Sequence, residues 1–99
     1  MKVAFRQSFA RDLKKIKDKR VVKQVRQAIA RVEAANNLHE VGGLTKLGGS
    51  GGYYRIRVGD YRIGIVLEAD EVEFVRCLHR REMYRYFPIR IGHCERSGT

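Results

Sequence analysis

The sequence has few of the residues that build disulfide scaffolds, membrane spans or rigid loops. It contains two cysteines, one proline and no tryptophan in 99 residues, and no apolar run exceeds the five residues from Ile63 to Leu67. Two cysteines are too few for a disulfide scaffold and are typical of reduced thiols in a cytoplasmic chain. The short apolar runs argue against a transmembrane helix and against the core of a secretory signal. We therefore expect one domain with a single hydrophobic core and no membrane partner.

Acidic residues are also scarce relative to basic ones. Lys and Arg number 21 against 11 Asp and Glu, which gives a net charge of +10 at pH 7. This excess favours an anionic partner, nucleic acid first and an acidic protein second, over a small-molecule substrate. All seven lysines lie within residues 2–46, whereas nine of the fourteen arginines lie within residues 55–96. Because Arg grips phosphate bidentately and stacks on bases, we expect the functional site in the second half of the chain.

The spacing of apolar residues predicts a strand followed by two helices in the first third of the chain. Residues 2–6 are the strand candidate. Apolar residues three and four apart predict one helix with its N-cap at Ser8 and a second with its N-cap at Asp18, which fades at residues 36–37. Two amphipathic helices joined so closely should form an antiparallel hairpin that buries its apolar stripes against a sheet.

The rest of the chain is predicted to be a loop followed by antiparallel strands. Residues 36–52 are rich in glycine but lack the Gly-Lys-Ser/Thr ending of a P-loop. Alternating apolar residues then predict strands at 53–58, 61–68 and 72–78, with tight turns between them. The predicted fold class is α+β in the order β-α-α-β-β-β, with the helices on one face of the sheet and arginines on the other.

Three arginines are expected side by side on that second face. Arg55 and Arg57 alternate along one predicted strand, about 7 Å apart, and Arg62 follows a very short turn. Like charges on neighbouring strands repel, so a sheet brings them together where an anion binds or where acids interleave. Gly64 leaves room beside them. We favour a polyanion site; the alternative is that the arginines are only solvated.

The last predicted strand runs into a second group of polar residues, namely His79, Arg80, Arg81 and Tyr84. His titrates near neutral pH, and Tyr can stack on a base or donate a proton. We therefore expect His79 to function beside the arginine cluster, with a purely structural histidine as the alternative.

Metal and cofactor sites are not indicated. Cys77 and His79 could be combined with His93 and Cys94 as zinc ligands, but their spacing is not that of a standard zinc site. We expect neither a metal nor a cofactor.

The polar faces of the two predicted helices form a separate basic surface. Its cations include Lys14, Lys15, Lys17, Lys23 and Arg26. Such a surface makes sequence-independent, salt-sensitive contacts with nucleic acid. A solvated helix face and a membrane-binding face are the alternatives.

The segment YRIRVGDYR at residues 54–62, followed by a strand and HRREMY at residues 79–84, resembles the RelE/ParE superfamily of bacterial toxins. The resemblance covers nearly all of residues 2–87, and the predicted hairpin and strand order agree with it. It implies a RelE-like domain over residues 1–88, followed by a tail at 89–99 that is either mobile or part of a partner contact. It also implies a small cognate antitoxin that wraps the toxin and blocks its site in a hetero-oligomer.

Two activities diverge within this superfamily. RelE-like members cleave messenger RNA in the ribosomal A site, without metal, using the RNA 2′-hydroxyl as nucleophile, whereas ParE-like members poison DNA gyrase and lack the basic catalytic set. The resemblance implies that Arg55 and Arg57 are the basic strand positions, that Arg62 and Arg80 contact phosphate, and that Tyr84 stacks on the substrate base. This set favours a cytoplasmic, ribosome-dependent mRNA endoribonuclease over a gyrase inhibitor or a degenerate toxin that only binds antitoxin or RNA.

One departure from the RelE-like pattern concerns proton transfer. These enzymes commonly have lysine at the two strand positions, and one lysine has been assigned proton transfer, but both positions are arginine here. Because guanidinium stays protonated, Arg57 is a poor general base although a good electrostatic stabiliser. We expect His79 to shuttle the proton, or charge and positioning to suffice with help from a ribosomal group. The lysine-rich helices, together with Arg81, are expected to contact ribosomal RNA.

Overall fold

The computed structural model describes residues 1–47 and 51–86, with side chains through Met83. Its elements are β1 (Lys2–Phe5), α1 (Gln7–Lys15), α2 (Lys19–Ala34), a 3₁₀ turn (Leu38–Glu40), β2 (Leu44–Lys46), β3 (Tyr53–Val58), β4 (Tyr61–Glu68), β5 (Glu71–His79) and α3 (Arg80–Tyr86). The predicted α+β fold class is confirmed. Three elements were not predicted: the 3₁₀ turn and β2 lie within the predicted loop, and α3 follows the last strand.

The strands form one five-stranded sheet in the order β1-β5-β4-β3-β2. β1 pairs with β5 in parallel, and the other neighbours are antiparallel. The chain therefore leaves β1 through the two helices, enters the sheet again at the opposite edge and returns strand by strand to lie beside β1. This path places the predicted arginine strands, β3 and β4, next to each other in the sheet.

The main hydrophobic core lies between the sheet and the helices α1 and α2. Its fully buried members include Val25 and Val32 from α2, Ile56 and Ile63 from β3 and β4, and Phe74 from β5. Burying an aliphatic or aromatic side chain of this size contributes about 1.5–3 kcal/mol. The apolar stripes of α1 and α2 therefore determine which face of the sheet these helices cover.

A second, smaller cluster lies on the opposite face of the sheet. Val66, Val75, Leu78 and Met83 are buried there, and Leu47 and Tyr53 pack against them. Met83 belongs to α3, which contacts β4 and β5. The arginines thus share their face with an apolar patch that α3 covers.

Helix α1 continues along the edge of β5 beyond the end of β1. The backbone N–H of Arg6 donates to Phe74 O at 3.0 Å, and Ser8 Oγ donates to Val75 O at 2.6 Å. The predicted N-cap at Ser8 is therefore wrong: α1 begins at Gln7, and Ser8 instead satisfies a carbonyl on the unpaired edge of β5. The predicted cap at Asp18 is confirmed, because its carboxylate accepts from the backbone N–H of Arg20 at 2.9 Å.

A buried ion pair completes this edge. Asp12, with 6% of its surface exposed, accepts two hydrogen bonds from Arg76, at 2.7 and 3.1 Å, and a third from the backbone N–H of Cys77 at 3.0 Å. This ion pair lies where the register between β4 and β5 shifts. Gly64 is opposite Arg76, but the next residue of β4, Ile65, is opposite Phe74. Asp12 therefore fixes the end of β5 that leads into α3.

Within the part of the chain that the structure describes, no helix is long and apolar enough to cross a membrane. Residues 87–99, which include the predicted tail and the end of the predicted domain, lie outside the described residues.

Candidate functional site

The structure brings the three strand arginines together on one face of the sheet. Arg57 lies directly opposite Arg62 in the β3–β4 register, and Arg55 lies opposite Gly64. The residues that alternate with them, Ile56 among others, pack into the core beneath the helices, so the arginines occupy the other face. Arg57 is exposed, and Arg55 and Arg62 are half-buried. The predicted alternation along β3 is confirmed, and we name this surface, defined by Arg55, Arg57 and Arg62, the arginine face.

The guanidinium of Arg62 is oriented by the turn between β3 and β4. Its Nη1 donates to the carbonyl oxygen of Gly59 at 2.8 Å and to that of Tyr61 at 2.9 Å. Gly59 has a φ of +58°, a conformation that favours glycine and that forms the tight turn. The turn thus both places Arg62 opposite Arg57 and sets the direction of its side chain.

An ion pair lies at the other end of the same sheet face. Arg6 bridges Glu73 at 2.8 Å, and this contact raises the pKa of Arg6. In the β4–β5 register Glu73 lies opposite Val66, whereas Arg62 lies opposite Leu78. The Arg6–Glu73 ion pair is therefore separated from Arg62 along the strands. Glu73 is therefore engaged with Arg6 rather than lying between Arg57 and Arg62.

His79 lies on the opposite face of the sheet. In the β4–β5 register it pairs with Tyr61, next to the pair formed by Arg62 and Leu78. Because successive side chains of a strand point to opposite faces, His79 points toward the helices. Its ring meets that of Tyr61 edge-on, with centroids 5.6 Å apart. The structure thus does not bring His79 to the arginine face, and our expectation that it works beside the cluster needs correction. The register that decides this could not be deduced from the sequence.

The imidazole of His79 instead contacts the beginning of α3. Its Nδ1 accepts from the backbone N–H of Arg81 at 3.3 Å, in the manner of a helix cap. In the neutral ring the proton is then on Nε2. His79 therefore orients the first turn of α3.

Helix α3 carries the remaining predicted site residues. The backbone N–H of Arg80 donates to the carbonyl of Asp60 at 2.8 Å, which ties the first residue of α3 to the turn that also holds Arg62. The side chains of Arg80 and Arg81 are exposed. Tyr84 belongs to α3, but its side chain lies outside the described residues. The structure thus joins the start of α3 to the edge of the arginine face.

The predicted RNA-binding cations of the helices are all exposed, and they lie on the other side of the sheet. Lys14 and Lys15 end α1, Lys17 lies in the connection to α2, and Lys23 and Arg26 lie on α2. These cations therefore form a basic surface that is separated from the arginine face by the thickness of the sheet.

Two further features were not found from the sequence. Tyr53 lies on the arginine face. The sequence could have predicted this position, because Tyr53 continues the alternation of Arg55 and Arg57 by one step. Cys77 is buried in the core, and this burial raises the pKa of its thiol to about 12. Among residues 1–47 and 51–83, no three His, Cys, Asp or Glu side chains are grouped as a metal site. His93 and Cys94 of the alternative zinc set lie outside the described residues.

Comparison with known proteins supports one family. The family described as ParE toxin of type II toxin–antitoxin system, parDE, matches residues 3–84. Toxin RelE3 of Methanocaldococcus jannaschii is 40% identical over 89 residues, which cover 89% of this chain and all of that protein.

Solved structures agree with this result. The RelB–RelE antitoxin–toxin complex from Methanococcus jannaschii matches with a TM-score of 0.74 and 38% identity, over 86% of this chain and 99% of that one. The YoeB dimer from Staphylococcus aureus matches with a TM-score of 0.66 over 80% of this chain and 95% of that one, and at 20% identity it supports the fold alone. The chain therefore belongs to the RelE/ParE superfamily of toxins from type II toxin–antitoxin systems.

Proposed function

We propose that this toxin is a RelE-like, metal-independent endoribonuclease that cleaves messenger RNA on the ribosome and so inhibits translation. The observation that carries the proposal is the direct pairing of Arg57 with Arg62, with Arg55 beside the side-chain-free position Gly64. Like charges placed opposite each other on neighbouring strands destabilise a sheet. A bound phosphate group would offset this repulsion.

The proposed chemistry is electrostatic. The RNA 2′-hydroxyl attacks the adjacent phosphorus, and negative charge develops on the phosphate oxygens. Arg62 and Arg80 hold that phosphate, and Arg55 and Arg57 stabilise the developing charge from β3. A positioned donor of this kind is worth about 10²–10³-fold in rate.

We assign proton transfer to none of the described side chains of the arginine face. His79 has its imidazole on the other face, where it caps α3, and we propose that it positions Arg80 and Arg81 rather than shuttling a proton. Loss of general acid–base catalysis costs about 10²–10⁴-fold, so a slower enzyme that relies on charge, positioning and ribosomal groups is consistent with this site. The assignment of Tyr84 as the residue that stacks on the base stays a prediction.

The proposed partners are the ribosome with its mRNA and a cognate antitoxin. The solved M. jannaschii relative forms a complex with RelB, which supports an antitoxin that covers this toxin in a hetero-oligomer. We propose that the toxin acts in the cytoplasm, where ribosomes are found, and that ribosomal RNA is contacted by six exposed cations, namely Lys14, Lys15, Lys17, Lys23, Arg26 and Arg81. Since α1 and α2 lie opposite the arginine face, ribosomal RNA and mRNA would contact different sides of the toxin.

Gyrase inhibition is the second candidate function, because the matching family is that of ParE toxins. A gyrase inhibitor does not need three arginines arranged around one phosphate. A toxin of this kind would bind its target without cleaving RNA.

The test is cell-free bacterial translation with added toxin, in which mRNA 3′ ends are mapped beside an Arg80→Ala control. We expect cuts within codons that require ribosomes and that disappear with Arg80→Ala. Intact mRNA with undiminished translation would refute the proposal, and trapped gyrase–DNA breaks would then support the second candidate.

A further inference from the structure

One extra residue interrupts the alternation of strand β5. Gly64 of β4 lies opposite Arg76, but the next residue of β4 lies opposite Phe74. Val75 is therefore an extra residue between the two pairs, and it forms a β-bulge. Phe74 and Cys77 both face the core, although simple alternation would turn residues three positions apart to opposite faces. Because the bulge changes the face of every later side chain of the strand, it determines how β5 leads into α3.

Helix α1 holds this bulge with two side chains. Ser8 Oγ donates to the carbonyl oxygen of Val75 at 2.6 Å, and the carboxylate of Asp12 accepts from the backbone N–H of Cys77 at 3.0 Å. Asp12 also accepts from Nε and Nη2 of Arg76, at 2.7 and 3.1 Å. Since β1 pairs only with the first half of β5, these side chains supply the hydrogen bonds that a longer β1 would have made.

The bulge is connected to the proposed active site through the first residue of α3. The backbone N–H of Arg80 donates to the carbonyl oxygen of Asp60 at 2.8 Å, and Asp60 lies in the turn that also orients Arg62. Arg80 follows Cys77, whose backbone Asp12 holds, by only three residues. A shift of the bulge would therefore move the start of α3 relative to the arginine face.

We propose that Asp12 and Ser8 are positioning residues for RNA cleavage, which hold the bulge of β5 so that Arg80 reaches the phosphate on the arginine face. This inference rests on the proposed function, since it needs Arg80 to contact that phosphate. Both side chains act from α1, at the edge of β5, and not on the RNA itself. A displacement of about 1 Å that originates far from the reacting atoms can cost about 10²-fold in rate.

The experiment uses the ribosome-dependent cleavage assay with the toxin in excess over programmed ribosomes. The cleavage rate at saturating toxin and the toxin concentration that gives half of this rate are measured separately. Asp12→Asn keeps the shape of the side chain but replaces one acceptor of Arg76 by a donor. Ser8→Ala removes the hydroxyl, and Ser8→Thr keeps it.

The control Val32→Ala destabilises the core beneath α2, a helix that packs against β3 and β1, and leaves the bulge intact. Urea titration checks that each variant folds. Amide hydrogen exchange of the free toxin, followed by NMR, compares the N–H of Arg80 with the amides of the central strand β4. This comparison separates a local release of α3 from a loss of global stability.

We expect Asp12→Asn to lower the saturating cleavage rate by about 10- to 100-fold, and Ser8→Ala to lower it by a smaller factor. The half-saturating concentration should change much less, because the cations proposed to contact ribosomal RNA are intact. Ser8→Thr and Val32→Ala should cleave at the wild-type rate. In Asp12→Asn and Ser8→Ala the exchange of the Arg80 amide should accelerate by a larger factor than that of the β4 amides, and in Val32→Ala it should not.

The inference is overturned if Asp12→Asn and Ser8→Ala cleave as fast as Val32→Ala, or if the Arg80 amide shows no excess acceleration. The proposed function would survive either result, because the wild type would still cleave mRNA. If the wild type does not cleave mRNA on ribosomes, the proposed function fails and the positioning role fails with it. Should Asp12→Asn not fold, the comparison of Ser8→Ala with Ser8→Thr decides: equal rates and equal Arg80 exchange refute the inference.

Discussion

Removing the charge of one of the two facing arginines, Arg57 and Arg62, should stabilise the free toxin and lower its activity. Arg57 is exposed and lies directly opposite Arg62. Like charges directly opposite each other on neighbouring strands destabilise a sheet, and cross-strand pairs of this kind are worth about 0.2–1 kcal/mol. We therefore expect Arg57→Gln to raise the free energy of unfolding by about 0.5 kcal/mol at low salt, or the melting temperature by about 2–4 °C.

The assay is urea and thermal unfolding of the free toxin at low and at high salt, beside mRNA cleavage. Salt at about 1 M shortens the Debye length to about 3 Å, so the gain from Arg57→Gln should vanish there. The control Arg57→Lys keeps the charge and should show no gain. Cleavage by Arg57→Gln should fall by about 10²–10³-fold. A gain that is unchanged at high salt, or a loss of stability at low salt, would refute the reasoning that charge repulsion strains this face.

Three further predictions follow from contacts elsewhere in the fold. Asp12→Ala should cost about 3–5 kcal/mol in urea unfolding, because it removes the buried carboxylate that pairs with Arg76 and accepts from the backbone N–H of Cys77, whereas Glu73→Ala should cost no more than about 1 kcal/mol, since its ion pair is more exposed; equal costs would contradict this. His79→Gln should change the cleavage rate by the same factor at every pH, because His79 positions α3 and does not transfer the proton; a factor that varies with pH would make His79 a proton shuttle after all. The raised pKa of Cys77 means that the folded state holds its proton longer than the unfolded state between pH 9 and 12, so stability should fall with pH there, and Cys77→Ala should remove that part of the fall.

The strands and helices that face the core could be predicted from the sequence because their patterns are unambiguous. Strand β3 has the predicted bounds, and its alternation identified the arginine face. Strand β2 was missed because three residues between glycines, Leu44–Lys46, carry no periodic signal. In the same loop the backbone of Gly52 packs so close to β4 that a side chain would not fit, since a Cβ at Gly52 would lie 2.2 Å from the carbonyl oxygen of Leu67. The composition of the loop revealed its glycines but not this close approach.

The position of His79 shows where sequence reasoning stopped. Alternation along β5 is interrupted near Val75, where the register with β4 shifts, so faces cannot be counted from one end of the strand to the other. The role of Ser8 was missed for a related reason. Its partner, the carbonyl of Val75, is available only because β1 is shorter than β5 and pairs with its first half. Both outcomes depend on long-range pairing, which local patterns do not encode.

The central claim is that mRNA is cut at the arginine face and not by basic charge in general. The most direct test compares two triple variants that lose the same charge in the ribosome-dependent cleavage assay. One changes Arg55, Arg57 and Arg62 to Gln, and the other changes three exposed helix arginines, Arg11, Arg20 and Arg31, to Gln. The account predicts that the first variant folds but does not cleave, and that the second still cleaves at the same positions in the codon. Equal loss in both variants, or cleavage by the first, would contradict it.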